Sequence, residues 1–371
     1  MKFSLNRDDL LPALERTVRL VERRNTIPVL ANIKICAVGD AISLTATDLD
    51  MQATSTVPAD IAQPGETTLP AATLLDFVKK LPSAVLTIET QPLCPAATVK
   101  SGRSRATLNT LPAEDFPDLS LGAFTHSFDL APGGLSTMIE RVDFAISTEE
   151  TRYYLNGIYL HAAGTGDAQH LRAVATDGHR LAQHQIALPD GAAGMAGIIL
   201  PRKAVSEIAR LIKSLKDPLR IEVSPTKLRL TAGGVIFATK LIDGTYPDYG
   251  RVIPGGNDRI AKVEIAALGA AVALVSTISS DRGRAVKFAW REDGLTLSVI
   301  TPDTGEARDE VDAEFAGDPL EIGFNAAYVA DILGALPGTR ATLAMADPGS
   351  PCLITAEGDP ASLFVLMPMR V

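Results

Sequence analysis

Phe128-Asp129-Leu130-Ala131-Pro132-Gly133-Gly134-Leu135-Ser136-Thr137-Met138-Ile139-Glu140-Arg141-Val142 reads as a short strand feeding an amphipathic helix. Phe128 and Leu130 alternate with a polar residue, as on a half-buried strand, and Leu135, Met138, Ile139 and Val142 then fall on one helical face. The same passage occurs twice more. Phe3-Ser4-Leu5 leads into Asp8-Asp9-Leu10-Leu11-Pro12-Ala13-Leu14, and Val263-Glu264-Ile265 leads into a run from Leu268 to Ile278. The starts differ by 125 and 135 positions.

A second element keeps the same schedule. Thr68-Leu69-Pro70 precedes Leu74, Leu75 and Val78 and closes at Leu81-Pro82. Ile199-Leu200-Pro201 precedes Val205, Ile208, Ile212 and Leu215; Ile322-Gly323-Phe324-Asn325 precedes Val329, Ile332, Leu333 and Leu336-Pro337. Alternating strand pairs follow, such as 219–223 with 227–231 and 341–345 with 353–356. Phe116-Pro117-Asp118 and Tyr246-Pro247-Asp248 stand 130 positions apart. These echoes predict three similar α+β domains, each with two helices packed on antiparallel sheet, at 1–124, 125–253 and 254–371. The connectors fall near 119–127 and 250–262, the second marked by Pro254-Gly255-Gly256. The period is too long for a solenoid, whose repeats run about 20–50 residues. Tandem domains of this kind could close into a ring if a second copy joined head to tail.

At 371 residues, 46% apolar and 21% charged, the chain has the composition of a soluble multidomain protein. No apolar stretch nears the roughly 20 residues of a membrane span, and Met1-Lys2-Phe3-Ser4 runs into patterned sequence without a signal-peptide core. Cys36, Cys94 and Cys352 form no CxxC pair, which predicts reduced thiols and a cytoplasmic setting.

A net charge of -9 argues against nucleic acid unless base is concentrated locally. Several helices concentrate it. With Asp8 as N-cap, Pro12 falls in the first turn, Leu10, Leu14, Val18 and Val21 make the buried stripe, and Arg16, Arg19 and Arg23 share another face. Lys79 and Lys80 lie opposite Leu74 and Val78. Lys203, Arg210 and Lys213 share a face flanked by Arg202 and Lys216. Acid gathers in strands and loops, at Asp303, Glu306, Asp309, Glu310, Asp312 and Glu314. The basic faces are either ordinary solvated surface or a loose cradle for phosphates. The third repeat offers almost no base, with Asp331 among Ala and Gly. Aromatic residues at 5% make a single-strand stacking platform a poor fit, and no helix-turn-helix or zinc module is present for base readout.

No GxxxxGK[ST], HExxH, GxSxG or strand-borne GxGxxG occurs, so no cofactor or metal site is expected. Ala175-Thr176-Asp177-Gly178-His179-Arg180-Leu181 is the one suggestive polar cluster. Asp177, His179 and Arg180 could act as acid, base and anion clamp, yet Asp-Gly is also a common turn and no nucleophile accompanies them. Ala46-Thr47-Asp48-Leu49-Asp50 echoes it without His or Arg. Thr-Asp therefore belongs to the repeated scaffold, and Gly-His-Arg is a binding feature of the second domain. An enzyme built on that cluster, and a peptide-binding scaffold that never encircles DNA, are the alternatives to a ring.

At these residues the chain resembles the bacterial DNA polymerase III beta subunit family, the sliding clamps, over essentially its whole length. The motifs are Met1-Lys2-Phe3, Ser101-Gly102-Arg103-Ser104-Arg105, Arg152-Tyr153-Tyr154-Leu155-Asn156-Gly157, the 175–181 run, Tyr246-Pro247-Asp248-Tyr249, Gly323-Phe324-Asn325 and Met367-Pro368-Met369-Arg370. The resemblance implies a non-catalytic, ring-shaped homodimer that encircles duplex DNA, helices lining the hole. It also implies a groove between domains two and three for short linear motifs of the polymerase III alpha subunit, the clamp loader, other polymerases and repair proteins. On matching positions the groove takes Tyr154, Leu155, Thr176, Gly178, His179, Arg180, Leu181, Pro247, Arg251, Val252, Asn325, Tyr328, Met367, Pro368, Met369 and Arg370. Read alone, Met367 and Met369 also suit the core of a last strand. Arg24 matches a DNA-contacting position, joining Lys79, Lys80, Arg202, Lys203, Arg210 and Lys213. Arg103, Arg105 and Leu108 would face Thr277, Ile278, Asp303 and Glu306 across the subunit interface. Gly349, Pro351 and the terminal Val371 depart from the family pattern.

Overall fold

The computed structural model describes residues 1–22, 26–91, 94–120, 122–213, 217–279, 285–302 and 304–371. The first repeat runs β1 (Lys2–Asn6), α1 (Arg7–Val18), β2 (Asn32–Val38), β3 (Ala41–Thr47), β4 (Met51–Pro58), β5 (Asp60–Gln63), β6 (Gly65–Pro70), α2 (Ala71–Lys80), β7 (Val85–Thr90), β8 (Ala96–Ser101) and β9 (Ser104–Asn109). The second runs β10 (His126–Leu130), α3 (Pro132–Val142), β11 (Gly157–Ala163), β12 (His170–Thr176), β13 (Arg180–Ala187), β14 (Ile198–Pro201), α4 (Arg202–Ile212), β15 (Leu219–Val223), β16 (Lys227–Ala232) and β17 (Val235–Lys240). The third runs β18 (Arg259–Glu264), α5 (Ile265–Val275), β19 (Ala285–Arg291), β20 (Gly294–Thr301), β21 (Gly305–Val311), β22 (Ala313–Ala316), β23 (Leu320–Asn325), α6 (Ala326–Ala335), β24 (Arg340–Met345), β25 (Cys352–Ala356) and β26 (Ser362–Leu366). Each repeat is strand, helix, strands, helix, strands, as expected.

The chain forms two compact units, 1–132 with 206–241 and 133–205 with 242–371, so the dividing line passes through the middle repeat. The reason lies in the sheets. The first unit holds a sheet ordered β5-β1-β7-β8-β9 and another ordered β10-β15-β16-β17-β4-β3-β2-β6. The second holds β14-β11-β12-β13-β26-β25-β24-β18-β22 and β21-β20-β19-β23. Each long sheet therefore joins half of one repeat to half of the next, through β17 on β4 and β13 on β26. Val235 faces Ser55 and Thr239 faces Met51 at the first junction. Arg180 faces Leu366 and His184 faces Ser362 at the second.

Period-two alternation builds the strands. On β3, Ile42, Leu44 and Ala46 point inward; on β20, Leu295, Leu297 and Val299 do. In the first unit these strand faces bury Phe3, Ile33, Ile35, Ile88 and Val99 against Leu10 and Leu14 of α1 and Leu74 and Val78 of α2. Each such side chain contributes about 1.5–3 kcal/mol on burial. Val18 and Val21 pack on this core only in part, and Val21 lies beyond the helix.

The N-cap of α1 is Asn6, not Asp8: the Asn6 side chain accepts from Asp8 N–H at 3.1 Å. Pro12 consequently sits inside the helix, past the first turn, where its missing N–H leaves the Asp8 carbonyl without its usual donor. Asp8 and Asp9 instead occupy the first turn, where carboxylates suit the helix dipole. Among the described residues no helix is long and apolar enough to cross a membrane. Cys36, Cys94 and Cys352 are free thiols, and burial pushes the Cys352 thiol up from its ordinary range.

Candidate functional site

The 175–181 run spans the end of β12, the three-residue turn 177–179 and the start of β13, and four hydrogen bonds define the turn. Thr176 Oγ1 donates to Arg180 O at 2.7 Å and accepts from Gly178 N at 3.1 Å. Asp177 Oδ1 accepts from the backbone N–H of His179 and of Arg180, at 2.8 and 3.0 Å. The β3–β4 turn makes the same four bonds with Thr47 and Asp48 in those roles. Thr-Asp is thus scaffold in both repeats. Gly178 adopts φ +89°, and a Cβ there would meet Arg152 Nη1 at 2.5 Å. Arg152 itself donates to Asp177 O at 2.9 Å and grips Glu149 at 2.7 and 2.8 Å, which holds the Glu149 carboxyl below its usual range.

Arg180 is a strut within the second unit. Its Nε bonds Asp177 at 3.1 Å, Nη1 bonds Asp331 at 2.6 Å and Nη2 bonds the Phe144 carbonyl at 2.6 Å. Its guanidinium lies 4.3 Å from the Tyr328 ring centre and 5.0 Å from that of Phe144. With the side chain only 10% exposed, Arg180 orients Tyr328 and has little left to offer a ligand. Asp331, the lone charge among small residues of α6, is the other end of that strut.

Leu155 and Leu181 form a buried floor with Val174, Ile199, Tyr246 and Val365, and Tyr154, Tyr159, Tyr249 and Ile253 pack against it. Of the apolar residues expected in the groove, Val252 (49%), Met367 (39%) and Met369 (38%) are exposed. Pro247 is exposed beside Tyr246. Asn325 caps α6, accepting from Ala327 N at 2.9 Å and Tyr328 N at 3.4 Å, so its carbonyl oxygen is engaged inward. The His179 ring stacks near Tyr328, centroids 6.3 Å apart. His179 O accepts from Met367 N at 2.9 Å, and Gly323 O accepts from Met369 N at 2.8 Å. Glycine is required at 323, because a Cβ would meet Val371 Cγ1 at 2.4 Å and Met369 O at 2.5 Å. The tail 368–371 then walls a cleft of about 940 Å³ with Lys287, Ile300 and Gly349. Met367 and Met369 thus belong to a tail tied down by backbone bonds, not to the core of a last strand. Arg251 is exposed and pairs with Asp248 at 2.9 Å, and Arg370 is exposed.

The basic residues divide. Lys79 and Lys80 end α2, exposed, with Lys79 3.2 Å from Glu15. Arg202 and Lys203 open α4, Arg210 pairs with Glu207 at 2.5 Å, and Lys213 follows the helix, all exposed. Arg16, expected on an open face with Arg19, is half-buried, and burial holds its guanidinium below its ordinary value. Its position on α1 faces the β4–β17 junction, where it lines a cleft of about 200 Å³ with Arg19, Glu207 and Arg210. Arg23, Arg24, Leu215, Lys216 and Asp303 lie outside the described residues.

Arg103 and Arg105 are exposed on the edge formed by β9, and Leu108 is half-buried there. Glu306 is exposed on β21, and Thr277 and Ile278 follow α5. Sequence reasoning missed Leu274 at the end of α5, 57% exposed. Its signal was present: α5 is apolar on every face, more than one buried stripe requires. It also missed Tyr246 and Tyr249 as site residues, although both stand in a motif it quoted.

Family profiles for the DNA polymerase III beta subunit match the chain in three pieces. The N-terminal domain matches residues 1–120, the central domain 129–248 and the C-terminal domain 250–370. The beta sliding clamp of Caulobacter vibrioides is 44% identical over 372 residues, and that of Escherichia coli K12 34%, each covering 100% of both chains. A sliding clamp (DNA polymerase III subunit beta) from Bartonella birtlesii, solved bound to griselimycin, superposes with a TM-score of 0.96 at 44% identity over 100% of both chains. A Caulobacter crescentus beta sliding clamp, solved with polyethylene glycol at a putative beta-motif tethering region, gives 0.97 at 44% identity over 100% of both. Three profile matches in order, together with full-length relatives and superposable structures, mean that this chain belongs to the DNA polymerase III beta subunit family, the beta sliding clamps.

Proposed function

We propose that two copies of this clamp close head to tail around duplex DNA, slide on it without sequence preference and tether a polymerase through the surface above the Leu155–Leu181 floor. One observation carries the closure. β4 and β13 occupy equivalent places in repeats one and two, and each pairs with the last strand of the following repeat. β21 is the third member of that series and β9 is the remaining last strand, yet both stand at sheet edges. An unpaired strand edge is a template for another chain. Pairing β21 of one copy with β9 of another repeats the junction already made twice, with Arg103 opposite Glu310 and Arg105, opposite Arg308, diagonal to Glu306 and Glu310. Leu274, Thr277 and Ile278 would be covered with it. The partners are therefore a second copy, duplex DNA, the polymerase III alpha subunit, the clamp loader, and other polymerases and repair proteins that carry short linear motifs.

The protein is a processivity subunit without a catalytic step, as its family is. The Asp177–His179–Arg180 cluster agrees, since Asp177 and Arg180 are spent on the turn and the strut. We take the domains as 1–124, 125–253 and 254–371, and the setting as the cytoplasm, at the nucleoid. DNA would meet Lys79, Lys80, Arg202, Lys203, Arg210, Lys213 and Arg24. Such phosphate contacts are salt-sensitive and carry no base information, which suits sliding. The groove residues are the sixteen named from the resemblance, Leu155 and Leu181 as floor, Arg180 and Asn325 as supports of Tyr328.

Loading the protein with a clamp loader onto nicked circular plasmid, then linearising the plasmid, tests the topological link. The protein is expected to run off the ends. Retention on linear DNA at moderate salt, or failure to load, would refute the ring.

A further inference from the structure

Two polar side chains on neighbouring strands of the second unit, His161 and Arg172, converge on the Tyr249 phenol, and Gln185 on the next strand holds Arg172 in place. His161 of β11 faces Arg172 of β12, and Arg172 faces Gln185 of β13. Arg172 donates Nε and Nη2 to Gln185 Oε1 at 3.1 and 2.8 Å, which aims Nη1 at the Tyr249 hydroxyl oxygen, 3.0 Å away. His161 Nε2 lies 2.9 Å from the same oxygen, and its Nδ1 lies 3.0 Å from Ala162 O. Only one proton arrangement satisfies every partner. Ala162 O can only accept, so Nδ1 carries the imidazole hydrogen; Nε2 then accepts the Tyr249 proton, and the Tyr249 oxygen accepts from Arg172. Burial favours this neutral imidazole.

The rings reinforce the chain. Tyr246 stacks on Tyr159 at 4.7 Å and 3°, and Tyr159 stacks on His161 at 4.6 Å and 25°. Both tyrosines of Tyr246-Pro247-Asp248-Tyr249 are thus gripped by the sheet, one by stacking and one by its hydroxyl. Pro247 is held between them, and the turn Tyr249–Val252 carries Arg251 and Val252 outward from the second anchor. That turn has no side-chain cap of its own.

We propose that the Arg172–Tyr249–His161 hydrogen-bond chain is a positioning device that presets the wall of the binding groove formed by Pro247, Arg251 and Val252. This rests on the groove reading above. A wall ordered before the ligand arrives spares the ligand the entropy of ordering it, so these residues, which need not touch the ligand, set its affinity.

Calorimetric titration of the full-length protein with griselimycin, the ligand carried by the Bartonella birtlesii relative, tests this. Tyr249→Phe keeps the ring and loses the hydroxyl; His161→Phe keeps the stack and loses the acceptor. Each is expected to weaken binding about tenfold, the worth of one well-placed hydrogen bond. The double variant is expected to be no weaker than either single one, because both break one chain. His161→Gln, which retains an acceptor, is expected to bind within about twofold of the unaltered protein, a rescue that loosened packing would not give. Val252→Asp and Met369→Asp, on the groove itself, serve as reference. If they abolish binding while Tyr249→Phe and His161→Phe do not change it, the positioning device is refuted and the groove stands. If they too bind normally, the groove reading fails and the device with it.

Discussion

Leu49 is the only described non-glycine residue with positive φ, at 78°. It occupies the position in the β3–β4 turn that Gly178 holds in the β12–β13 turn, with the same four hydrogen bonds around it. A left-handed conformation costs an ordinary L-residue about 1–2 kcal/mol, and asparagine tolerates it better. Leu49 is 40% exposed, so little packing offsets that strain. Leu49→Asn should therefore stabilise the protein by about 0.5–1 kcal/mol, read as a higher urea midpoint with unchanged slope. A lower midpoint would mean that the Leu49 side chain makes contacts worth more than the backbone strain. The comparison also explains why Gly178 is glycine for two reasons, conformation and the approach of Arg152, whereas position 49 needs only the first.

Elements differ in how far their sequence announces them. The strand-into-helix passages and the β-alternation are local patterns, and they placed six helices and the repeat without reference to any partner. What local pattern cannot encode is which strand sits beside which. β4 and β17 are joined across some 180 residues, and nothing in Met51–Pro58 names Val235–Lys240 as its neighbour. Arg180 shows the same limit: its polarity suggested a ligand-facing role, and nothing near it in sequence announces its bond to Asp331, 151 positions away. Asn6 and Asp8 are both good cap residues two positions apart, so only geometry could choose between them. Of the candidate site, Leu155, Leu181 and the tail were legible as motifs, but Val174, Ile199, Val365, His161 and Arg172 stand in strands that look like any others. The β13–β26 junction carries a further consequence. His184 is buried there, its Nδ1 2.8 Å from Ser362 Oγ, and burial lowers its pKa from the ordinary 6.5, as it does for His161. A histidine depressed in the fold takes up its proton more readily when unfolded. Its contribution is fully present above about pH 6.5 and is lost as pH falls below that value. Stability should thus drop between pH 7.5 and 5.5, by at most about 1.4 kcal/mol per pH unit for each histidine. His184→Asn, which can keep the bond to Ser362, should flatten the slope measured by urea unfolding across that window; an unaltered slope would assign the loss elsewhere.

At the scale of the whole molecule, the two internal junctions predict the register of the one between copies. Met51, Arg180 and Gly305 are the equivalent first residues of β4, β13 and β21: Thr47 faces Gln52 as Thr176 faces Leu181, and Ile42 faces Val57 as Leu295 faces Val311, each valine the seventh residue of its strand. Met51 faces Thr239 and Arg180 faces Leu366. On the other side, Val235 and Ser104 are the first residues after the turns that open β17 and β9, which makes Thr239 equivalent to Leu108. Gly305 of one copy should therefore face Leu108 of the other, and Ala307 should face Ala106, as Ala53 faces Phe237. The bond from Thr56 N to Gly234 O makes Ala53 and Phe237 a non-hydrogen-bonded pair. Cα atoms in such pairs approach to about 4.5 Å, inside the range a disulfide accepts. With Cys94→Ser removing the exposed native thiol, Ala106→Cys with Ala307→Cys should oxidise to a dimer that survives a non-reducing gel. Thr107→Cys with Ala307→Cys, one residue out of register, points the first thiol to the other face and should link poorly. Efficient linkage of the second pair and not the first would mean that the contact between copies does not repeat the internal junctions. The linked protein should also fail to load onto closed circular DNA until it is reduced, because the same ladder that completes the ring is the one that has to open.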